Sequence, residues 1–396
     1  MIRNIFRSTT VRGAFAVFSA FTVSVAEANA ASEPGVHSDR IIFGQSAPLD
    51  GPAKELGLAM QAGLKTAFAE QNAKGGVNGR KIELITYNDG YEPDAAGANV
   101  TKLINEDAVF AIIGSVGTPT AKVAQPIAKS ADVPYIAPMT GAGFLRDPSN
   151  RHVVNLRASY AQETEMWVER LTKDRDAKKI AVLYQADSFG QAGLDGVTSA
   201  LERRGMQVVA AEPYRRNSRD VRRAVVRLQT VEPDAIAIVG AYAPAAEFID
   251  LASRVELTVP MMNISFVGSR ALAATLEAHY ANVVVSQVVP SPSDESVPLV
   301  KQYRAALSKF GEGAQPDFVS LEGYLAGRFA IAALERAGAA PTRDGFLSSV
   351  YDGAPYDIGG LKFVFGDGDN QGGDGVFLTV LDESDEFVPI SSLSKL

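Results

Sequence analysis

At 396 residues the chain is too long for one ordinary core, and 46% hydrophobic with 21% charged residues describes a globular protein. Thirty-eight Lys and Arg against 46 Asp and Glu give a formal charge of −8, mixed along the chain, so no basic face is offered to nucleic acid. Cysteine is absent, which excludes disulfide staples and thiolate metal sites.

The first 30 residues read as an export leader. Arg3, Arg7 and Arg12 form a basic segment, Ala14 to Val25 an apolar one, and Ala28-Asn29-Ala30 an Ala-x-Ala cleavage site. A membrane anchor is the alternative, but the apolar run falls short of the roughly 20 residues that a span needs. No second long apolar run follows, and no cysteine is present for a lipid anchor. The expected product is a freely diffusing periplasmic protein without stable membrane insertion.

Short apolar strands and amphipathic helices then alternate. Ile41–Ala47, a helix over Lys54–Asn72, Lys81–Tyr87, a helix over Asp94–Asn105 and Val109–Ile113 come first. Gly114 to Thr120 follows as a turn, with Thr118 as an N-cap, Pro119 as first helical residue and a helix through Lys129. A strand entering a glycine turn and then a helix N-terminus is a candidate anion seat, an ordinary strand-to-helix turn being the competing reading. Pro134–Pro138 is the next strand, closed by the loop Met139 to Gly143. The cadence restarts at Val153–Leu156 and runs through Gln162–Leu171, Lys179–Tyr184, Phe189–Arg204, Gln207–Ala211, Arg219–Thr230, Ala235–Val239, Pro244–Arg254 and Pro260–Ile264. The tail opens with Val283–Val289, continues in helices about Val297–Phe310, Phe318–Ala337 and Thr342–Val350, and ends in strands near Leu361–Phe365, Val376–Asp382 and Glu386–Pro389. The pattern predicts an α/β fold with two doubly wound lobes, the helical tail crossing back to the first. Ligands of such sheets sit beyond the carboxyl ends of the strands, so loops 114–120, 139–143, 185–189, 240–244 and 264–268 should surround one cleft.

Signals for catalysis are missing. His37, His152 and His279 are scattered, and no H-E-x-x-H, G-x-S-x-G, Walker or strand-borne G-x-G-x-x-G sequence occurs. Asp367 to Gly372 echoes the start of a calcium loop, but Leu378 stands where the bidentate Glu belongs, which favours a Gly/Asp-rich turn. Trp167 reads as packing within its helix. No metal, no cofactor and no enzymatic activity are expected.

The order of motifs resembles a family. Ile41 to Pro52, Gly57, Gly63, Asn72 to Gly79, Gly114-Ser115, Ile136-Ala137-Pro138, Phe189-Gly190 and Gly240-Ala241-Tyr242 are similar to type I periplasmic solute-binding proteins of ABC importers. The nearest group is the leucine/isoleucine/valine-binding (branched-chain amino acid) branch. The resemblance covers nearly all of the chain after the leader. It implies two Rossmann-like lobes joined by three crossover strands, with residues 38–156 and 288–358 in lobe 1 and 157–287 and 359–390 in lobe 2. It also implies a monomer that closes on a small-molecule ligand and delivers it to an inner-membrane ABC permease. A sensor feeding a regulator or chemoreceptor is the alternative use, and an enzyme on the same fold a further one.

The resemblance assigns Gly117, Thr118 and neighbouring backbone N–H groups to a ligand carboxylate, and Met139, Thr140 and Gly141 to a second hydrogen-bonding loop whose residue order departs from the family's. Phe189 and Tyr242 match cleft aromatics, and Leu56 replaces a tryptophan at the cleft mouth. Ser265 stands for the acid that pairs with an α-amino group, and Tyr160 for a further cleft aspartate. Each has a plainer reading: Thr118 as a cap, Phe189 as core, Tyr242 as a loop residue with its hydroxyl in water, Ser265 as a turn residue. The two lost acids point to a carboxylate or neutral polar ligand with an apolar or aromatic body, unless Glu247, Glu322 or another acid reaches the site. The mature chain is expected to begin at Ala31, which N-terminal sequencing of an osmotic-shock fraction checks; retained Met1 would refute the leader.

Overall fold

Seven consecutive residues of the first strand, Ile41 to Ala47, are buried, as a strand covered on both faces requires. The computed structural model describes residues 33–366, 368–394 and 396, with isolated positions 1, 2, 5 and 9. The leader and its cleavage point after Ala30 lie outside the described residues.

The first part of the chain alternates β1 (Arg40–Ala47), α1 (Lys54–Ala73), β2 (Lys81–Asn88), α2 (Pro93–Asn105), β3 (Ala111–Ile113), α3 (Thr118–Ser130), β4 (Tyr135–Ile136) and β5 (Val153–Val154). Its sheet has the order β2-β1-β3-β4-β5 and is parallel throughout, with Phe43 opposite both Leu84 and Ala111. The second part contains α4 (Tyr160–Arg175), β6 (Ile180–Gln185), α5 (Ser188–Glu202), β7 (Val208–Tyr214), α6 (Arg222–Gln229), β8 (Ala235–Val239), α7 (Tyr242–Arg254), β9 (Met261–Asn263), α8 (Ser269–Thr275) and β10 (Val283–Gln287). The chain then returns through α9 (Pro298–Phe310), α10 (Phe318–Ala337), α11 (Arg343–Val350), β11 (Tyr356–Ile358) and β12 (Leu361–Phe363), and ends with β13 (Phe377–Leu381) and β14 (Phe387–Ile390). The second sheet runs β14-β13-β10-β9-β8-β6-β7, with β13 and β14 antiparallel at one edge. These are two Rossmann-like lobes, and three connections pass between them: β5 to α4, β10 to α9, and β12 to β13. The hairpin β11–β12 pairs Ile358 with Leu361, so the expected lobe boundary after residue 358 falls inside its turn.

The returning helices belong to the first lobe because α1 and α10 fit together at glycines. On α1 the buried residues Leu56, Met60, Gly63, Leu64 and Ala67 recur at helical spacing. A Cβ on Gly63 would collide with the Ser320 carbonyl oxygen, and one on Gly323 with the Met60 carbonyl oxygen. Bare backbone on both helices lets the axes approach closely.

One local expectation is corrected. Gly117, not Thr118, is the N-cap of α3; at φ 104° it adopts a backbone conformation that favours glycine, and no side chain caps the helix. Gly143–Arg146 forms a short 3-10 turn and Ser269–Thr275 the short helix α8, segments to which the sequence assigns no element, since both are too short to show a period. Among the described residues no helix is long and apolar enough to cross a membrane.

Gly63→Ala should destabilise the protein by about 1–3 kcal/mol through overpacking against α10. Urea unfolding checks this; an unchanged midpoint would mean that the two helices can part freely.

Candidate functional site

Loops at the carboxyl ends of the strands in both lobes converge on one buried cluster. After β3, Gly117 N–H donates to the Met139 carbonyl (3.3 Å) and Met139 N–H to the Ser115 carbonyl (2.8 Å), so the two loops after β3 and β4 are stitched side by side. Their side chains meet at Thr118 and Thr140, whose hydroxyl oxygens lie 2.6 Å apart. Tyr160 N–H donates to the Gly141 carbonyl (2.8 Å), and a Cβ on Gly141 would strike the Tyr160 ring, so only glycine admits that ring here. The Tyr160 hydroxyl lies beside Thr140 and Thr118 without an aligned hydrogen-bond partner.

An aromatic wall continues from Tyr160 into the second lobe and back. Tyr160 to Phe189 is 5.5 Å between ring centroids, Phe189 to Phe266 4.7 Å, and Phe266 to Tyr91 5.8 Å. Tyr91 comes from the first lobe and sits at φ 63°, a strained conformation for a tyrosine. Asp89 holds it there by accepting from the Tyr91 N–H (2.9 Å) while also accepting from the Ser46 hydroxyl (2.7 Å). Gln185, set by the Tyr214 hydroxyl at 3.2 Å, donates to the Tyr91 hydroxyl across the lobes at 3.3 Å. At the rim Arg216 pairs with Glu92 at 2.6 Å, and Asn217 donates to the Gly90 carbonyl at 3.1 Å.

Beneath the wall lies a group of buried charges. Arg157, on the first connection between lobes and 2% exposed, stands 3.6 Å from Glu163 and 3.4 Å from Glu322 and donates to the Ser265 hydroxyl. Ser265 passes the contact on: its hydroxyl donates to Glu163 at 2.8 Å and its N–H to the other Glu163 oxygen at 2.9 Å, where Ser286 also donates at 2.5 Å. Burial pushes both carboxyls upward, with Arg157 opposing it in each case.

Eight of the nine residues singled out in the sequence thus fall into this one neighbourhood: Gly117, Thr118, Met139, Thr140, Gly141, Tyr160, Phe189 and Ser265. Tyr242 stands apart. It is buried at the start of α7 with its hydroxyl against the backbone of Glu55, and it lines a cavity of about 710 Å³ with Leu56, Arg270 and Asp317. Glu247 is occupied elsewhere by Arg219, at 3.1 Å. Sequence reading missed Tyr91, Gln185, Phe266, Arg157 and Glu163. One available signal was Ser159-x-x-Gln162, a capping box that the structure forms, which marks Arg157 as lying on the connection itself. Among the described residues no group of three or more His, Asp or Glu is placed to hold a metal ion.

The sequence profile of a family described as "Periplasmic binding protein" matches residues 41–386. "Leu/Ile/Val-binding protein homolog 7" of Brucella abortus (strain 2308) is 31% identical over 222 residues, covering 54% of this chain; the chain spans 55% of that relative's length. "Leu/Ile/Val-binding protein BraC3" of Rhizobium johnstonii is 23% identical over 86% of this chain and 91% of its own. The crystal structure of "a possible leucine/isoleucine/valine-binding protein" from Rhodopirellula baltica SH 1 superposes with a TM-score of 0.85 at 32% identity, covering 91% of this chain and 98% of that one.

Asp89 makes the aromatic wall sensitive to pH. Burial raises its carboxyl to about 6, against the pull of Ser46 and the Tyr91 N–H. A raised carboxyl stabilises the fold when protonated, so its contribution is complete below about 4 and is lost as pH rises through about 6. The loss is on the order of 3 kcal/mol. Asp89→Asn keeps an acceptor for Tyr91 and should remove this slope; urea unfolding of both proteins at pH 4 and pH 7 measures it, and equal slopes would refute the assignment.

Proposed function

Because the chain belongs to the periplasmic binding protein family, we propose that it is the substrate-binding component of an ABC importer of the branched-chain amino acid type. It captures a small ligand between its lobes, closes on it by hinge rotation and presents it as a monomer to an inner-membrane permease, without turnover. The observation that carries this reading is the convergence of strand-end loops from both sheets on Thr118, Thr140, Tyr160 and Phe189. Export by a leader cleaved after Ala30 fits the same role.

The ligand class follows from what the cleft offers. Thr118 and Thr140 present hydroxyls beside an aromatic wall, which suits a carboxylate or neutral polar group on an apolar or aromatic body. An α-ammonium needs a free carboxylate in a dehydrated site. Ser265 occupies the position where the family's acid is expected, the acid behind it, Glu163, already accepts three hydrogen bonds, and Glu322, which does reach this neighbourhood, is paired with Arg157 at 3.4 Å.

A thermal-shift panel tests this. Ligand at 100 times its dissociation constant stabilises by roughly 2.7 kcal/mol. Aromatic or aliphatic acids should raise the melting temperature, and leucine, isoleucine and valine at millimolar concentration should not. A micromolar dissociation constant for leucine would overturn the ligand class. Failure of any small solute to bind, with none released from the purified protein by mass spectrometry, would overturn the role.

A further inference from the structure

Thr118 and Thr140 each neighbour a glycine whose bare backbone carries a tyrosine ring. A Cβ on Gly117 would collide with Tyr91, and one on Gly141 with Tyr160. Phe266 and Phe189 complete the run from one ring to the other, and each of the four residues is at most 1% exposed. Interiors packed this closely leave no slack, so the body of a solute seated on the two hydroxyls has to share its space with these rings. Tyr160, Phe189 and Phe266 belong to the second lobe, on α4, α5 and the loop after β9. Tyr91 alone belongs to the first lobe, on the loop between β2 and α2. Tyr91 is also held against its own backbone preference. A φ of 63° suits glycine or asparagine, yet the Tyr91 N–H is fixed at 2.9 Å by Asp89, which the Ser46 hydroxyl holds in turn at 2.7 Å. From the other lobe Gln185 donates to the Tyr91 hydroxyl at 3.3 Å, while accepting from Tyr214 at 3.2 Å and donating to Asp187 at 2.7 Å. A strained residue secured from both sides of a seam between lobes points to function more than to packing.

We propose that Tyr91 is a specificity-determining residue of the cleft: its ring, set between Gly117 and Phe266, is the wall that limits the length of the ligand's body. The inference rests on the cleft being a solute site. The ring sets the limit because it fills the space beside the start of α3, and the hydroxyl fixes where the ring stands when the lobes are together. Removing the ring leaves room for a body longer by about the ring that was lost, whereas removing the hydroxyl alone leaves the wall where it is.

Calorimetry on the full mature chain with two pairs of acids tests the proposal: benzoate with biphenyl-4-carboxylate, and butanoate with octanoate. In at least one pair the shorter acid should bind roughly 30-fold or more tightly than the longer, since forcing extra groups into a packed site is unfavourable. Tyr91→Gly removes the ring and suits the positive φ; it should cut that preference by roughly tenfold or more, by admitting the longer acid. Because loss of a buried ring can unfold the protein, Tyr91→Asn is measured beside it, asparagine being another residue that accepts this backbone conformation. Tyr91→Phe keeps the ring and loses the Gln185 contact, so it should retain the preference while binding both acids about threefold more weakly. An unchanged preference in a folded Tyr91→Gly or Tyr91→Asn protein, a preference lost in Tyr91→Phe, or equal binding of short and long acids by the unsubstituted protein would each overturn the proposal. Binding of another solute, such as leucine, with none of the acids would overturn it while leaving the solute-binding role intact. Binding of no solute at all would defeat both.

Discussion

One guanidinium holds the point from which both lobes hang. Arg146 donates to the carbonyls of Thr140 and Ala142 on its own side, to those of Arg157 and Ala158 on the first connection, and to the Gln371 side chain on the third. The same two connections pair backbone to backbone: Asn155 N–H donates to the Asn370 carbonyl at 2.8 Å and Gly372 N–H to the Asn155 carbonyl at 2.9 Å. Extended chain between lobes has no sheet of its own to satisfy its peptide groups, and such groups must find partners when buried. The arginine, Asn155 and Asn370 meet that requirement and fix where Arg157 and Tyr160 begin.

The buried charges downstream are arranged for geometry more than for stability. An ion pair withdrawn from water gains little against an apolar substitute, but removing one partner costs about 3–5 kcal/mol. Glu163 is held by hydrogen bonds from Ser265 and Ser286, which belong to different strands' ends of the second sheet. Glu322 comes from α10 in the first lobe. Arg157 between them therefore senses both lobes at once, and its orientation is set by elements that are far apart in the chain.

Much of the fold was legible from sequence because apolar runs and glycine turns alternate at regular length, and because the motif order resembles a known family. The cleft loops after β3 and β4 were legible for the same reason. The role of Thr118 was not: a threonine before Pro119 reads as a cap, yet its hydroxyl turns to Thr140, a contact set by register between two loops. Arg157 carries no sequence signature, since a lone arginine reads as solvent-exposed. Only the packing of α4, α10 and the loop after β9 around it makes it a buried cation. Tyr242 was legible as an interlobe aromatic, but its distance from the other site residues depends on where α7 starts relative to α1.

Because the first and third connections are laced together, any rotation of one lobe against the other has its pivot beside Arg157. Displacement then grows with lever arm. Arg157 lies on the first connection and Tyr160 at its end, beside that pivot. Tyr91 against Phe266, Arg216 against Glu92 and Tyr242 against Glu55 bridge the two lobes and are contacts that such a rotation would part. On the proposed role, a solute would be met in two stages: first by the polar groups at the pivot, then by the contacts that close over it.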